Sequence, residues 1–539
     1  MIPVDVGRDV ICVVDEQRRD LAVAVAALAG RFTHNGVTLG LGPEPDWLRA
    51  GLPGDVEWRT EWAKQNEGLD LAHAFAETGD ERFLAAWRRL VTSYDRQVPV
   101  GHDRAEVSAR RMQNWVYAWQ RFRHAGADLD RDLVDVLVAR LRADAEHLAG
   151  HLTPERNHRT LELYALLVAG LALDDRPRSV TALGLLAENA AADVLPDGVH
   201  RERSSDYHMI VLRSLVGAIV NARAAALPVA DVLVERVQRA GDVALHLQRP
   251  DGLTPALSDG DVGDFRALLA RAATVLDRPE LAWAASGGRA GAAPRDRVVA
   301  FPTGGYAMLR SGWGDGGRSY GDECWGVFDT GPLGDGGHGH YDHLAVELWA
   351  AGRPLALDAG RFTYADGPDG WRRWFKGTAA HNTVQVDGLD QTSYRPGKPK
   401  GPTSTAALVH CGRGSITDVA TAVATSPRYD ARHSRTLALV RRDHWLVRDR
   451  LTAPSTHRYE ARWHLAPGSP HDVRVERRGP DHVVTAPGVR LTVGAPGGVV
   501  EVEEGWISPT YGVKHVAPVV VVATTARDAT IVTRLEAGP

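Results

Sequence analysis

The stretch Ala284–Asp296, AASGGRAGAAPRD, divides this chain into two textures. Before it, apolar residues recur at three- and four-residue spacing in run after run. Such runs are Ala72–Val98, Arg104–Gly126, Asp132–Leu152, His158–Leu173, Ser179–Leu195, His208–Leu227 and Val232–Arg249. That period places one apolar stripe on a helix, and Thr78-Gly79-Asp80 marks a turn between two of them. After the stretch the runs are short, alternating or β-branched: Gly304–Trp313, Cys324–Gly331, His343–Gly352, His381–Gly388, Thr436–Leu451, His457–Gly468 and Val516–Thr525. Gly, Pro and Asp turns separate them, which predicts an antiparallel β-sandwich. The stretch itself is small and Gly-rich, as a linker would be. The division expected is a helical domain over 1–285, a linker over 286–297 and a β-sandwich over 298–539.

The chain has 539 residues, too many for one ordinary core, and 44% apolar and 24% charged residues, as in a globular protein. A net charge of -5 excludes a general electrostatic attraction to nucleic acid or anionic membrane. No run approaches the roughly 20 apolar residues that span a bilayer. The three cysteines, Cys12, Cys324 and Cys411, are scattered and odd in number, which excludes a disulfide framework or a cysteine zinc site. The N-terminal residues lack a basic segment followed by an unbroken apolar run. No signal peptide is therefore expected. That predicts a cytoplasmic location, or a periplasmic or secreted one where a leader has been removed.

The densest chemical cluster is Gly337-His338-Gly339-His340-Tyr341-Asp342-His343. On a strand, His338 and His340 would share a face. Asp358 and His381 lie at the ends of later strand-like runs. Two imidazoles and a carboxylate suit Zn²⁺, so His340, Asp358 and His381 are the expected ligands. The spacing HxHxDH also occurs in binuclear metallo-hydrolases, where His338, His340, Asp342 and His343 would all bind metal. The helical context before it and the absence of a following Gly-Gly argue against that reading. In the helical half, Arg156-Asn157-His158 opens a run, and Asn157 alone would pass for a helix N-cap, with Glu162 one turn on. The polar run Glu202–His208 would alone pass for a solvated cap. Arg110, Arg111, Arg156, Arg159, Arg372, Arg373, Lys376, Lys398 and Lys400 are cations near these motifs, suited to carboxylates or sulfates. Of these, Arg156, Arg372 and Arg373 are the expected substrate contacts.

Taken together, EVSARRMQNWVYAW (106–119), RNHRTLE (156–162), ERSSDYH (202–208), FPTGGYAMLRSGW (301–313), GHGHYDHLAVEL (337–348), GRPLALDAGRFTY (352–364), WRRWFKGTAAHNTVQVDG (371–388) and RRDHWLVRDRL (441–451) resemble the heparinase II/III-like polysaccharide lyases. That family includes heparan sulfate lyases and alginate or oligoalginate lyases. The resemblance implies an incomplete (α/α) toroid followed by an antiparallel β-sandwich. It implies cleavage of an acidic, uronic-acid-containing oligo- or polysaccharide by β-elimination, with 4,5-unsaturated uronate ends as product. Asn157 with His158 resembles the family's carboxylate-neutralising pair, Tyr207 its catalytic tyrosine and His338 its catalytic histidine. His340, Asp358 and His381 resemble its zinc set, structural and one per chain. A metal-dependent hydrolase or a non-catalytic glycan-binding protein are the alternatives such a chain leaves open.

Overall fold

The computed structural model of the chain describes residues 8–49, 52, 56–397 and 401–538. The chain forms two compact units, one of residues 1–193 and 210–237, the other of residues 194–209 and 238–539.

The first unit is helical. Its helices include Glu67–Thr78, Glu81–Gln97, Ala105–His124, Arg131–Gly150, Arg156–Ala172 and Arg176–Asp193. The turn read from Thr78-Gly79-Asp80 is there. Gly79, at φ 69°, ends one helix, and the Asp80 carboxylate accepts from the N–H of Arg82 to cap the next. The helices bury their apolar stripes on one another, with Trp87, Trp115, Trp119, Leu141 and Leu167 nearly inaccessible. Among the described residues, no helix is long and apolar enough to cross a membrane.

The second unit holds three antiparallel sheets, of eight, four and five strands. The eight- and four-stranded sheets enclose a core of Trp445, Trp463, Leu437, Val447, Val520 and Val522. The five-stranded sheet, Val298–Phe301 to Arg353–Ala356, lays Met308, Trp325 and Trp349 against Val243 and Leu247. That apolar contact is why the late helices group with the sheets, although their sequence texture is that of the helical half. The helix Ser205–Ala224 is shared: its first turn, with Tyr207, belongs to the second unit.

One polar group is built into the sandwich core. The strands Arg432–Val440 and His444–Thr452 pair with Arg435 opposite Asp449. Arg435 forks onto Asp449 at 2.7 and 3.0 Å, and His433 bonds the same carboxylate at 2.7 Å. Arg435 also donates to the carbonyls of Leu344 (2.8 Å) and Asn382 (2.5 Å). It thereby ties the segments that carry Asp342 and His381 to the sheet. Removing one partner of a buried ion pair strands the other, so Arg435→Met is expected to cost about 3–5 kcal/mol in denaturant unfolding. Burial would raise the Asp449 carboxyl, but the Arg435 charge outweighs it and holds it at about 2. Ionised Asp449 thus contributes stability above its ordinary value of 3.8, which is lost as pH falls through about 2. The variant should show a shallower acid dependence over that window, read by melting temperature against pH.

Candidate active site and metal centre

The site is organised on Asp259, a fully buried carboxylate in the loop after the strand-like turn at Thr254. Arg372 donates both Nη groups to it, at 2.5 and 2.8 Å. His338 Nδ1 and His340 Nε2 each lie 2.9 Å from one of its oxygens. Burial would raise this carboxyl, but the Arg372 charge and the two imidazole bonds hold it well below the usual carboxylate range. An ionised carboxylate only accepts, so Nδ1 of His338 and Nε2 of His340 are assigned as the N–H donors. Burial pushes His340 down to about 4, so the other nitrogen of its ring then carries a lone pair.

The run Glu202–His208 is docked onto the same loop. Ser204 Oγ donates to the Asp259 carbonyl (2.9 Å), and Ser205 Oγ to that of Pro255 (2.6 Å). The following turn of helix sets the Tyr207 ring 4.2 Å from that of His338, tilted 37°. Tyr207 Oη is 2.9 Å from Tyr364 Oη, which accepts from Arg361 Nη1 at 2.6 Å. Arg361 is itself forked on Asp261 at 2.8 and 2.9 Å. Burial pushes the Tyr207 hydroxyl well above its ordinary value, and the Arg361 charge offsets this only in part. Tyr207 is therefore a proton donor at neutral pH. The Nε2 of His338 has the buried Glu202 carboxylate 3.6 Å away, and the ring keeps 22% of its side-chain exposure, enough for a ligand to reach.

Behind Asp259 lies a metal-capable group. Donor atoms of His340, Asp342 and His381 all lie within 4.8 Å of one another, and all three residues are buried. His340 Nδ1 is buried with no hydrogen-bond partner. His381 donates from Nε2 to the carbonyl of Phe375 (3.1 Å) and turns Nδ1 to Asp358 at 2.9 Å and Asp342 at 4.0 Å. Each imidazole is thus tied by Nε2 to an oxygen, as in metal-bound histidines, while Nδ1 of His381 faces two carboxylates and Nδ1 of His340 is left without a bond. The donor set fits a metal ion. Sequence reasoning named Asp358 for the zinc set and Asp342 only for the hydrolase alternative. In the structure Asp342 completes the compact group, and Asp358 holds His381 Nδ1. His343 is outside the group, and its backbone N–H donates to Gln391. Of the four ligands the hydrolase reading needs, only His340 and Asp342 are assembled.

The stretch 338–340 is no strand, contrary to expectation. His338 and His340 converge because both reach Asp259. Arg372 is buried, spent on Asp259, and lies over the Tyr364 ring at 5.0 Å. Arg373 is exposed, 6.0 Å from the Tyr394 ring centre. Lys376 is buried, donating to the Gly337 carbonyl at 2.5 Å. Lys398 and Lys400 lie outside the described residues. Asn157, His158 and Arg156 belong to the helical unit. Asn157 is no N-cap: Glu155 holds that position, and Asn157 is buried inside the first turn. Arg156 takes φ 75°, rare for arginine, and its N–H donates to Asp193 at 2.8 Å. Glu162 accepts from Thr153 N and Oγ at 2.7 and 2.5 Å, a structural pairing. In the same unit, Arg110 donates to Gln113, Arg159 to the Thr153 carbonyl and Arg111 to Asp103 and Asp144.

Asp259, Arg361, Tyr364 and Glu202 were not singled out from the sequence. The Asp-rich SDGDVGD around Asp259 was the one local signal, and GRFTY carried two of the others.

Residues 8–278 match the description "Heparinase II/III N-terminus" and residues 293–534 "Heparinase II/III-like, C-terminal". The chain belongs to the heparinase II/III-like family. This heparinase II/III-like chain is 26% identical over 435 residues to a heparin-sulfate lyase of Pedobacter heparinus, an alignment covering 76% of the chain and 62% of that protein. It is 22% identical over 382 residues to a heparin-sulfate lyase of Bacteroides thetaiotaomicron, covering 63% and 53%. The chain thus spans less than two thirds of the length of either relative. In fold it matches the crystal structure of heparinase III with a TM-score of 0.83 at 16% identity, over 99% of this chain and 88% of that one. It matches a heparan sulfate lyase HepC mutant from Pedobacter heparinus with a TM-score of 0.71 at 22% identity, over 98% and 84%. The fold is accordingly an incomplete (α/α) toroid followed by an antiparallel β-sandwich.

Asp259→Asn removes the charge that Arg372 and both histidines share. A buried, unpaired guanidinium follows, so a loss of about 3–5 kcal/mol in chemical denaturation is expected. Unchanged unfolding would show that Asp259 is not what holds the cluster.

Proposed function

We propose that this heparinase II/III-like chain is a polysaccharide lyase that cleaves a uronic-acid-containing glycan of the heparin or heparan sulfate type by β-elimination. The carrying observation is the Tyr207–His338 pair, 4.2 Å apart, with His338 oriented by an ionised buried carboxylate. The relatives named heparin-sulfate lyase support the substrate class.

In this mechanism Asn157 and His158 bind the uronate carboxylate and stabilise the charge that builds on it as C5 loses its proton. His338 Nε2 takes that proton, since Asp259 holds the N–H on Nδ1 and stabilises the imidazolium formed. The C5–H electron pair becomes the C4–C5 double bond, and the C4–O bond breaks. Tyr207, kept protonated by burial, gives its proton to the leaving oxygen. Arg361 and Tyr364 form a donor chain behind the Tyr207 oxygen that stabilises the phenolate left behind. Arg372 acts through Asp259, and the exposed Arg373 is left for acidic groups of the substrate.

The metal in this reading is zinc, held by His340 and His381 with carboxylate from Asp358, as the family resemblance implies, and from Asp342. Two imidazoles and two carboxylates make a closed four-donor set, which suits a structural ion. Zinc bound there stiffens the segment carrying His338. Elemental analysis of the purified chain should find about one zinc per chain, and His381→Ala should lose it and melt lower. Unchanged metal content in that variant would reject the assignment.

The lyase reading is tested by the near-ultraviolet absorbance of the unsaturated uronate, screened on heparan sulfate, heparin, hyaluronan, chondroitin sulfates and alginate. Tyr207→Phe removes only a hydroxyl, so melting should hold while turnover falls by about 10²–10⁴-fold. Asn157→Ala should lower kcat as well as raise KM. Near-full activity of Tyr207→Phe on the cleaved polymer would overturn the mechanism.

A further inference from the structure

None of the candidate site residues above lines a polar cavity of about 390 Å³ in the β-rich unit. Six guanidiniums border it: Arg295, Arg297, Arg318, Arg413, Arg441 and Arg442. Two are spent within the protein. Arg297 pairs with Asp418, and Arg318 reaches Asp443 at 3.3 Å and the carbonyl of Arg442. Two carboxylates, hydrogen-bonded to neutral donors, share the wall. Glu323 accepts from Ser311 Oγ and from the N–H of Gly314 (3.1 Å), and Asp315 accepts from the N–H of Trp313 (3.1 Å). Among the described residues, the exposed side chains of Arg295, Arg413, Arg441 and Arg442 have neither an ion-pair nor a hydrogen-bond partner.

Four arginines without ion-pair partners outnumber the two carboxylates of the wall, so the concavity carries a net positive charge and draws anions to it. The backbone adds a second observation. Arg441 and Arg442 are the central residues of a tight turn closed by Asp443 N–H to the Val440 carbonyl at 3.0 Å, and both have positive φ, 52° and 57°. Such a turn favours Asn-Gly, so nothing in its conformation calls for two arginines. Their charge, aimed into the cavity, is what the turn presents.

We propose that this cavity binds the sulfate groups of a sulfated oligosaccharide, as an anion site additional to the elimination centre. The guanidinium fork matches tetrahedral oxyanions in two-point contact, and the volume lies in the range of small-ligand sites. The choice of a sulfated sugar rests on the lyase reading, whereas the anion site rests on the arginines.

The test is calorimetric titration of a size-defined heparin oligosaccharide into the full chain. Tyr207→Phe is the background, so that turnover is slowed by the same roughly 10²–10⁴-fold during the titration. Arg441→Asn with Arg442→Gly installs the dipeptide the turn prefers, so the fold should keep or gain stability while two charges go. Arg295→Ser with Arg413→Ser removes the other two. Each pair is expected to weaken the arginine-dependent binding about tenfold or more at low salt. A fully desulfated oligosaccharide should bind all variants alike, and pyrophosphate should bind more weakly than the sulfated sugar. Identical isotherms with and without the arginines overturn the inference. So does pyrophosphate binding as tightly as the sugar, which would make this a phosphate site. Chromophore formation by the unmodified chain is scored separately. A chromophore with unaltered isotherms removes this inference alone, and arginine-dependent binding without a chromophore removes the lyase reading alone.

Discussion

The charge on Asp259 is the constraint on which the rest of the site depends. A carboxylate with no solvent access is costly unless every lone pair is used. Arg372 takes two of those directions, His338 and His340 one each. Those four bonds fix more than a charge balance. They set the proton positions on both rings, and so decide which nitrogen of His338 is basic and which nitrogen of His340 is left bare. On the proposed reading, one buried anion thus gives two histidines two different tasks. The difference between them is exposure: the ring of His338 keeps 22% of its side-chain exposure, with Glu202 3.6 Å from its second nitrogen, whereas the second nitrogen of His340 is buried with no hydrogen-bond partner.

Much of the fold was legible because it follows from periodicity. Apolar spacing gave the helices and the strands, and the Gly79–Asp80 turn could be read from its residue types alone. Contacts made at a distance were not legible. The helix Asp231–Leu247 reads as part of the helical half, yet its end from Gln238 groups with the sheets, where Trp325 and Trp349 pack on Val243 and Leu247. No local pattern announces such a contact. The stretch 338–340 was read as a strand for its alternation, but its two histidines converge on a shared acceptor, not on a pleat.

The site shows the same division. His338 and His340 stood out because reactive side chains clustered, with His381 at the end of a later strand-like run, whereas Tyr207 was named through the family resemblance. Asp259 did not stand out, since an Asp in a Gly- and Asp-rich loop is ordinarily exposed, and only its partners, drawn from positions 338, 340 and 372, make it otherwise. Asp358 was named for the zinc set and Asp342 only under the hydrolase alternative, because both are plausible carboxylates and the choice turns on distances in space. The helix start at Asn157 misled in a milder way. Its residue type is that of a cap, but the helix begins at Arg156, two residues earlier than a cap at Asn157 would place it, and Asn157 is buried in the first turn.

Sharing Asp259 also has an energetic side. Buried polar networks polarise one another and are stable only when each member is satisfied. Here His340 is left with one bare nitrogen, His381 faces two carboxylates, and burial raises Asp342 to about 6 while Asp358 is held below its ordinary value by His381. Without a cation this interior carries more negative charge than its imidazoles neutralise, and the unpartnered His340 nitrogen has nothing to bond. A bound cation removes both deficits at once. It would also hold His340 at Asp259, and through Asp259 the ring of His338 against Tyr207. On the proposed reading, a metal that never meets the sugar still contributes to catalysis, by keeping the proton on the correct nitrogen of a residue two positions away along the chain.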